Sequence, residues 1–186
     1  MVVTEKLTKK IDVFPVDDAG LVGSRKTFES VGVWPFGFGF GHDGTLIVSE
    51  ADAGVASSSS ASSYHLAHES IGVVDGSVPT KQTAACWLVL THDGRFAYLA
   101  DAGSALITGF LVSESGKLTR LEASGDTAGT DPHPIDMAVS VNDKFLYLVS
   151  NNGGALDEFM ISGNGSLKPL ESITGLPTSI SGAVSN

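Results

Sequence analysis

The densest set of reactive side chains in the chain is Asp131-Pro132-His133-Pro134-Ile135-Asp136. An imidazole beside carboxylates can take a proton from water as that water attacks a carbonyl carbon. His133 and Asp136 are therefore the first catalytic candidates, with Glu5 and Glu50 as secondary carboxylates. Trp34 and Trp87 offer flat faces for stacking on a ring-shaped substrate, and Asp131 adds a carboxylate for substrate binding. Each has a plainer use. An Asp can be bonded to backbone amides, a His stiffened between prolines, an indole wedged between sheets.

Other chemistries find little support. His65 and His68, three apart, fall on opposite faces of a strand and make a poor metal pair, so no metal site is expected. Cys86 is the sole cysteine and reads as a small buried hydrophobe. Gly37, Gly39 and Gly41 lead into a hairpin rather than a helix, which removes the dinucleotide-loop reading. No Gly-x-Ser-x-Gly or phosphate loop occurs, and no cofactor is expected. Ser57 to Ser60 with Ser62 and Ser63 reads as a flexible loop. His42 and His92 stand beside turns and are expected in solvent, while Glu50, Asp101 and Asn151 follow strands as turn formers.

These residues are placed by a repeat. Asp43, Asp93 and Asp143 stand at intervals of 50 residues, each between two apolar runs rich in β-branched and aromatic residues. That is the pattern of a β-hairpin, and a self-similar unit of this length fits a blade of a β-propeller. Complete four-stranded antiparallel blades are expected over about 34–80, 84–123 and 133–172. Second strands such as Phe145-Leu146-Tyr147-Leu148-Val149 are apolar on consecutive positions, which implies burial of both faces. Residues 1–30 lack an inner strand and 175–186 look like one without partners, so the two ends are expected to share a fourth blade, all within a single domain 1–186. Whatever repeats at the blade period is structural; whatever breaks it is a candidate for function. Counting seven residues back from each turn aspartate gives Phe36, Cys86 and Asp136, of which one is charged.

The formal charge of −10 and pI near 4.7 oppose attraction to nucleic acid or anionic membranes, which need clustered Lys and Arg. One cysteine permits no intrachain disulfide. Met1 to Glu5 has neither the basic nor the apolar region of a secretory leader, and a cytoplasmic location is expected.

The series Trp34-Pro35-Phe36-Gly37-Phe38, Asp43-Gly44-Thr45-Leu46-Ile47-Val48-Ser49-Glu50-Ala51, Ala85-Cys86-Trp87 and Asp93-Gly94-Arg95-Phe96-Ala97-Tyr98 resembles the lactonase family of seven-bladed β-propellers. Pro134-Ile135-Asp136-Met137-Ala138 and Gly175-Leu176-Pro177 match its late blades, so the chain is similar to about the C-terminal half of a member. The resemblance implies part of a seven-bladed all-β propeller that hydrolyses a sugar-derived lactone, as 6-phosphogluconolactonases do, without cofactor. Relatives carry arginine and histidine at inner-strand starts in Gly-Pro-Arg-His-like contexts. Here those starts read Trp34-Pro35-Phe36, Cys86-Trp87-Leu88, His133-Pro134-Ile135 and Leu176-Pro177-Thr178, with no arginine. A non-catalytic propeller fragment or binding module is the alternative expectation. For assembly, either two chains join head to tail as a homodimer in one ring, or further blades are encoded upstream of Met1.

Overall fold

Apolar runs of six or so residues, cut by Asp, Asn and Gly turns, are too short for stable helices and rich in strand-forming residues. The computed structural model describes residues 1–67 and 70–185, and the expectation for His68 lies outside the described residues. Strands form four sheets in chain order. The first holds β1 (Val2–Glu5), β2 (Lys10–Val13) and β3 (Lys26–Glu29). The second runs β4 (Pro35–Phe40), β5 (Thr45–Glu50), β6 (Ser60–Ala67), β7 (Ser70–Pro79). The third runs β8 (Ala85–Leu90), β9 (Phe96–Asp101), β10 (Leu106–Val112), β11 (Leu118–Arg120), with β12 (Ala128–Gly129) also on β10. The fourth runs β13 (Pro134–Val139), β14 (Phe145–Ser150), β15 (Ala155–Ile161), β16 (Leu167–Ile173). All strand pairs are antiparallel.

Between sheets, the inner strands approach most closely, β4 against β8 and β8 against β13. The sheets therefore fan outward as blades of a partial β-propeller, and the fold is all-β as the repeat predicts. The only helical segments among the described residues are 3-10 turns at His42–Gly44 and Asp52–Gly54, and no described helix is long and apolar enough to cross a membrane. Three apolar clusters fill the gaps between successive blades: Ile11, Leu46, Val48 and Tyr64; then Ile47, Leu88, Leu99 and Phe110; then Tyr98, Ile107, Leu146 and Leu148. β5 and β9 are buried along their whole length, because each side of a middle blade meets a neighbour.

The blade period is not uniform. Thr91 and Asp93 make the same turn bonds as Ser140 and Asn142, and Gly94 (φ 66°) is matched by Asp143 (φ 56°). The third and fourth sheets are thus 49 residues apart, and Asp143 occupies the glycine position of its turn. Each inner strand carries a one-residue bulge just after its start, since Pro35, Ala85 and Pro134 lie opposite Glu50, Asp101 and Ser150 before the register shifts. The residues beyond the bulge that correspond are Gly37, Trp87 and Asp136. Cys86 corresponds instead to Ile135, which corrects the count from the aspartates.

Two further expectations are corrected. Ser60, Ser62 and Ser63 are not in a loop: they lie in β6, and all three are buried with Ser59. Small hydroxyl side chains fit the narrow space between blades and bring donors with them. The tail after β16 forms no strand among the described residues and does not pair with β1. It folds back on its own blade instead, with Leu176 N–H donating to Gly154 O and Ser185 Oγ to Val139 O.

Candidate functional site

Three residues just ahead of the inner strands, Trp34 (φ 58°), Ala84 (φ 56°) and His133 (φ 62°), share the left-handed backbone region. Each carbonyl accepts an N–H from the turn after its blade's second strand: Ala51 to Trp34, Ala102 to Ala84, Asn151 to His133. A conformation costly for side chains with a Cβ is kept because these bonds fix it. The geometry repeats while the side chain does not. A second tier, Gly37, Trp87 and Asp136, follows beyond the bulges. Four of the expected site residues fall in these two tiers.

His133 is exposed, and its Nδ1 lies 2.8 Å from Asn151 Oδ1. A carbonyl oxygen only accepts, so Nδ1 carries the proton and the Nε2 lone pair is left free to act as a base. Sequence reasoning treats Asn151 as a turn former and does not connect it to His133. Asp136 shares no hydrogen bond with His133. Its Oδ1 accepts the Met137 N–H at 2.8 Å and its Oδ2 the Ala183 N–H at 3.0 Å, so it anchors the tail. Asp131 faces outward: Oδ2 accepts from Ser172 Oγ on β16, and its N–H donates to Asp157. Trp34 is half-buried beneath Lys6, whose Nζ sits 4.5 Å from the indole centre and 4.8 Å from the Phe36 ring. Lys6, in the turn after β1, is a site component that no motif signals. Trp87 is 39% exposed. Burial pushes the Cys86 thiol up, which keeps it protonated and unsuited to attack.

Glu50 is corrected as a catalytic carboxylate because it is wholly enclosed between the first two blades. It accepts from the Gly32 N–H at 2.9 Å and from the hydroxyls of Ser60, Ser62 and Ser77. Burial raises its pKa against the effect of these donors. A Cβ on Gly32 would lie 1.9 Å from the carboxylate, so only glycine fits there. Its position repeats. The last residue of each second strand, Glu5, Glu50, Asp101 or Ser150, lies diagonal to Asp12, Ser62, Thr108 or Asp157 on the third strand. Each blade thus holds a polar rung with at least one carboxylate. Glu5 belongs to the first rung, accepting from Thr8 Oγ1 and lying 3.6 Å from Arg25. Glu50 and Asp101 are thus repeating residues, as their spacing predicts, but they are buried rung members rather than turn formers.

At the other end of the blades, His42 Nε2 meets Asp93 O and His92 Nδ1 meets Asp143 Oδ1, each at 2.8 Å. These exposed histidines tie adjacent hairpins together. Among the described residues no group of three or more His, Cys, Asp or Glu could hold a metal ion.

No protein-family model matches the sequence, and no curated protein matches it. Solved structures do. A functionally unknown protein from Desulfotomaculum acetoxidans is 19% identical with a TM-score of 0.74, over 97% of this chain and 55% of that one. A candidate 6-phosphogluconolactonase from Bacteroides fragilis is 15% identical at 0.75, over 91% and 50%. The periplasmic gluconolactonase of Pseudomonas aeruginosa is 20% identical at 0.73, over 92% and 51%. The chain has the fold of these proteins. It spans about half of their length.

Proposed function

We propose that the chain is part of a lactonase-like propeller that hydrolyses a sugar-derived lactone at the end where the inner strands begin. The observation that carries this reading is His133, exposed at an inner-strand start with Asn151 holding Nδ1–H and leaving Nε2 basic. Nε2 takes a proton from water as its oxygen bonds to the lactone carbonyl carbon. The ring C–O bond then breaks, the proton passes to the leaving alkoxide, and a hydroxy acid results. Trp34 and Trp87 offer surfaces for the sugar ring, and Lys6 above Trp34 supplies positive charge for an anionic substituent. Likeness in fold to a gluconolactonase supports the substrate class.

A second reading, a non-catalytic segment that binds a ligand or protein, is favoured by Asp136. Both of its oxygens are taken up by backbone N–H groups, so it assists no base. The two readings part in one assay: initial rates of δ-gluconolactone and 6-phosphogluconolactone hydrolysis above the spontaneous rate. The lactonase reading expects activity that falls at least tenfold in His133→Ala and is kept in His92→Ala. Absence of activity in the parent chain, or an unchanged rate in His133→Ala, removes it and leaves the binding reading.

A further inference from the structure

The loop between β11 and β12 lies at the seam of the second and third blades, and three of its successive carbonyls are each met by a side-chain donor. Lys81 Nζ donates to Ala123 O at 2.9 Å, Gln82 Nε2 to Ser124 O at 3.3 Å, and the Thr108 hydroxyl reaches Gly125 O at 2.8 Å. The first two contacts are exposed and the third is buried, so the third holds the loop most firmly. Gly125 (φ 84°) sits so close to the second blade's exit that a Cβ there would stand 1.8 Å from Thr80 O.

The Thr108 hydroxyl has one proton to give. Its oxygen lies 2.7 Å from Asp101 Oδ2 as well as 2.8 Å from Gly125 O, and a carboxylate and a carbonyl both only accept. Two bonds need a second proton, and the acid itself is the source. With Asp101 protonated on Oδ2, Oδ2–H donates to Thr108 Oγ1, which donates onward to Gly125 O. The other oxygen, Oδ1, is buried without a partner, which a neutral carboxyl tolerates far better than a charged one. Burial, which pushes the pKa of Asp101 up to about 8, acts in the same direction.

The charged groups near this acid leave it alone. Cys86 on β8 interacts with it electrostatically and is itself kept neutral by burial. Lys81 is engaged by Ala123 O and Arg120 by Pro79 O, while Glu122 and Asp126 are exposed in the loop. Glu50 of the second blade is turned the other way, to Gly32. No charged side chain among the described residues forms a hydrogen bond or ion pair with Asp101.

We infer that Asp101, Thr108 and Gly125 form a proton-dependent latch: the protonated acid holds the loop shut through the hydroxyl, and the ionised acid turns the hydroxyl to itself and lets the Gly125 carbonyl go. The proton leaves to solvent, and opening of the loop lets water reach Oδ1. Residues 80–82, which the loop grips, lead into β8 and Trp87, so the latch firms part of the end where the inner strands begin. It does not depend on the lactone reading.

Amide hydrogen exchange followed residue by residue by NMR tests the latch, with each rate divided by the intrinsic rate at that pH. The amides to follow are Gly125, which donates to Glu122 O, and Thr127, which donates to Ile107 O. Their protection should be whole near pH 4 and fall about tenfold by pH 8, the worth of one buried hydrogen bond. Asp101→Asn should hold the low-pH protection throughout, because its carboxamide N–H donates to Thr108 at any pH. Thr108→Val should lower protection at pH 4 about tenfold, and Thr108→Ser should keep it. At every pH the two amides should be less protected than those of β9, since the loop opens without the blade. Equal protection of the loop and β9 overturns the latch, as does a parent profile flat from pH 4 to 8. So does an Asp101→Asn chain that keeps the decline, or a Thr108→Val chain as protected as the parent at pH 4.

Discussion

The polar rungs of the first and third blades have the same place in the repeat and opposite ionisation. Asp12 is itself 3% exposed, but Thr27 Oγ1 donates to it at 2.6 Å and Arg25 lies 3.4 Å away, and its pKa is lowered, mainly by the Thr27 bond and against the effect of burial. Asp101 is sealed between blades. Its Oδ2 lies 2.7 Å from Thr108 Oγ1, its Oδ1 has no partner, and burial pushes its pKa to about 8. At Glu50 and Asp157 an N–H from the preceding loop, Gly32 or Asp131, reaches the carboxylate. In the third blade the corresponding Gln82 N–H donates to Thr80 Oγ1 instead. The same rung is thus an ion where a hydroxyl and a guanidinium face it and a neutral acid where burial outweighs its donors.

The contrast is sharpest in the pH dependence of stability. Asp101 binds its proton more tightly folded than unfolded, so its contribution is whole below pH 4 and is lost as pH rises towards 8. Asp101→Asn should flatten that decline, by up to roughly 1 kcal/mol per pH unit, with little change at pH 4 in urea unfolding. Removing the remaining donor comes next. Thr108→Val should remove the hydroxyl that meets both the buried carboxyl and Gly125 O and cost about 1–3 kcal/mol at pH 6. Asp12 should give the smallest effect and the reverse sign. Its contribution is present above the unfolded pKa and lost as pH falls through the lowered folded value, so Asp12→Asn should lower the melting temperature slightly at pH 7 and not at pH 2. Equal pH profiles for Asp12→Asn and Asp101→Asn would abolish the distinction.

The site was legible in part. His133, Trp34, Trp87 and Asp136 all fall at inner-strand starts, because the hairpin repeat locates those starts without any contact being known. Their equivalence was misjudged by one residue in the last blade. A turn of the Ser140-x-Asn142-Asp143 type has its aspartate where another blade has glycine, and both fit the same short window. Lys6 stacks on Trp34 from another blade, a contact of 28 residues' separation that no local pattern encodes.

The sequence alone determined the blades, through runs whose length and apolar content admit strands and whose turns accept positive φ. It also set the polar rung, by placing Glu, Asp, Ser and Thr at fixed steps from each hairpin. Tertiary structure decided which rungs are sealed, that the serine-rich stretch is strand, that Asp136 holds the tail, and that His133 is turned by Asn151. Those outcomes depend on what lies across the gap between sheets, where solvent is removed or admitted, and solvent sets both the cost of a charge and the partner a polar atom must find.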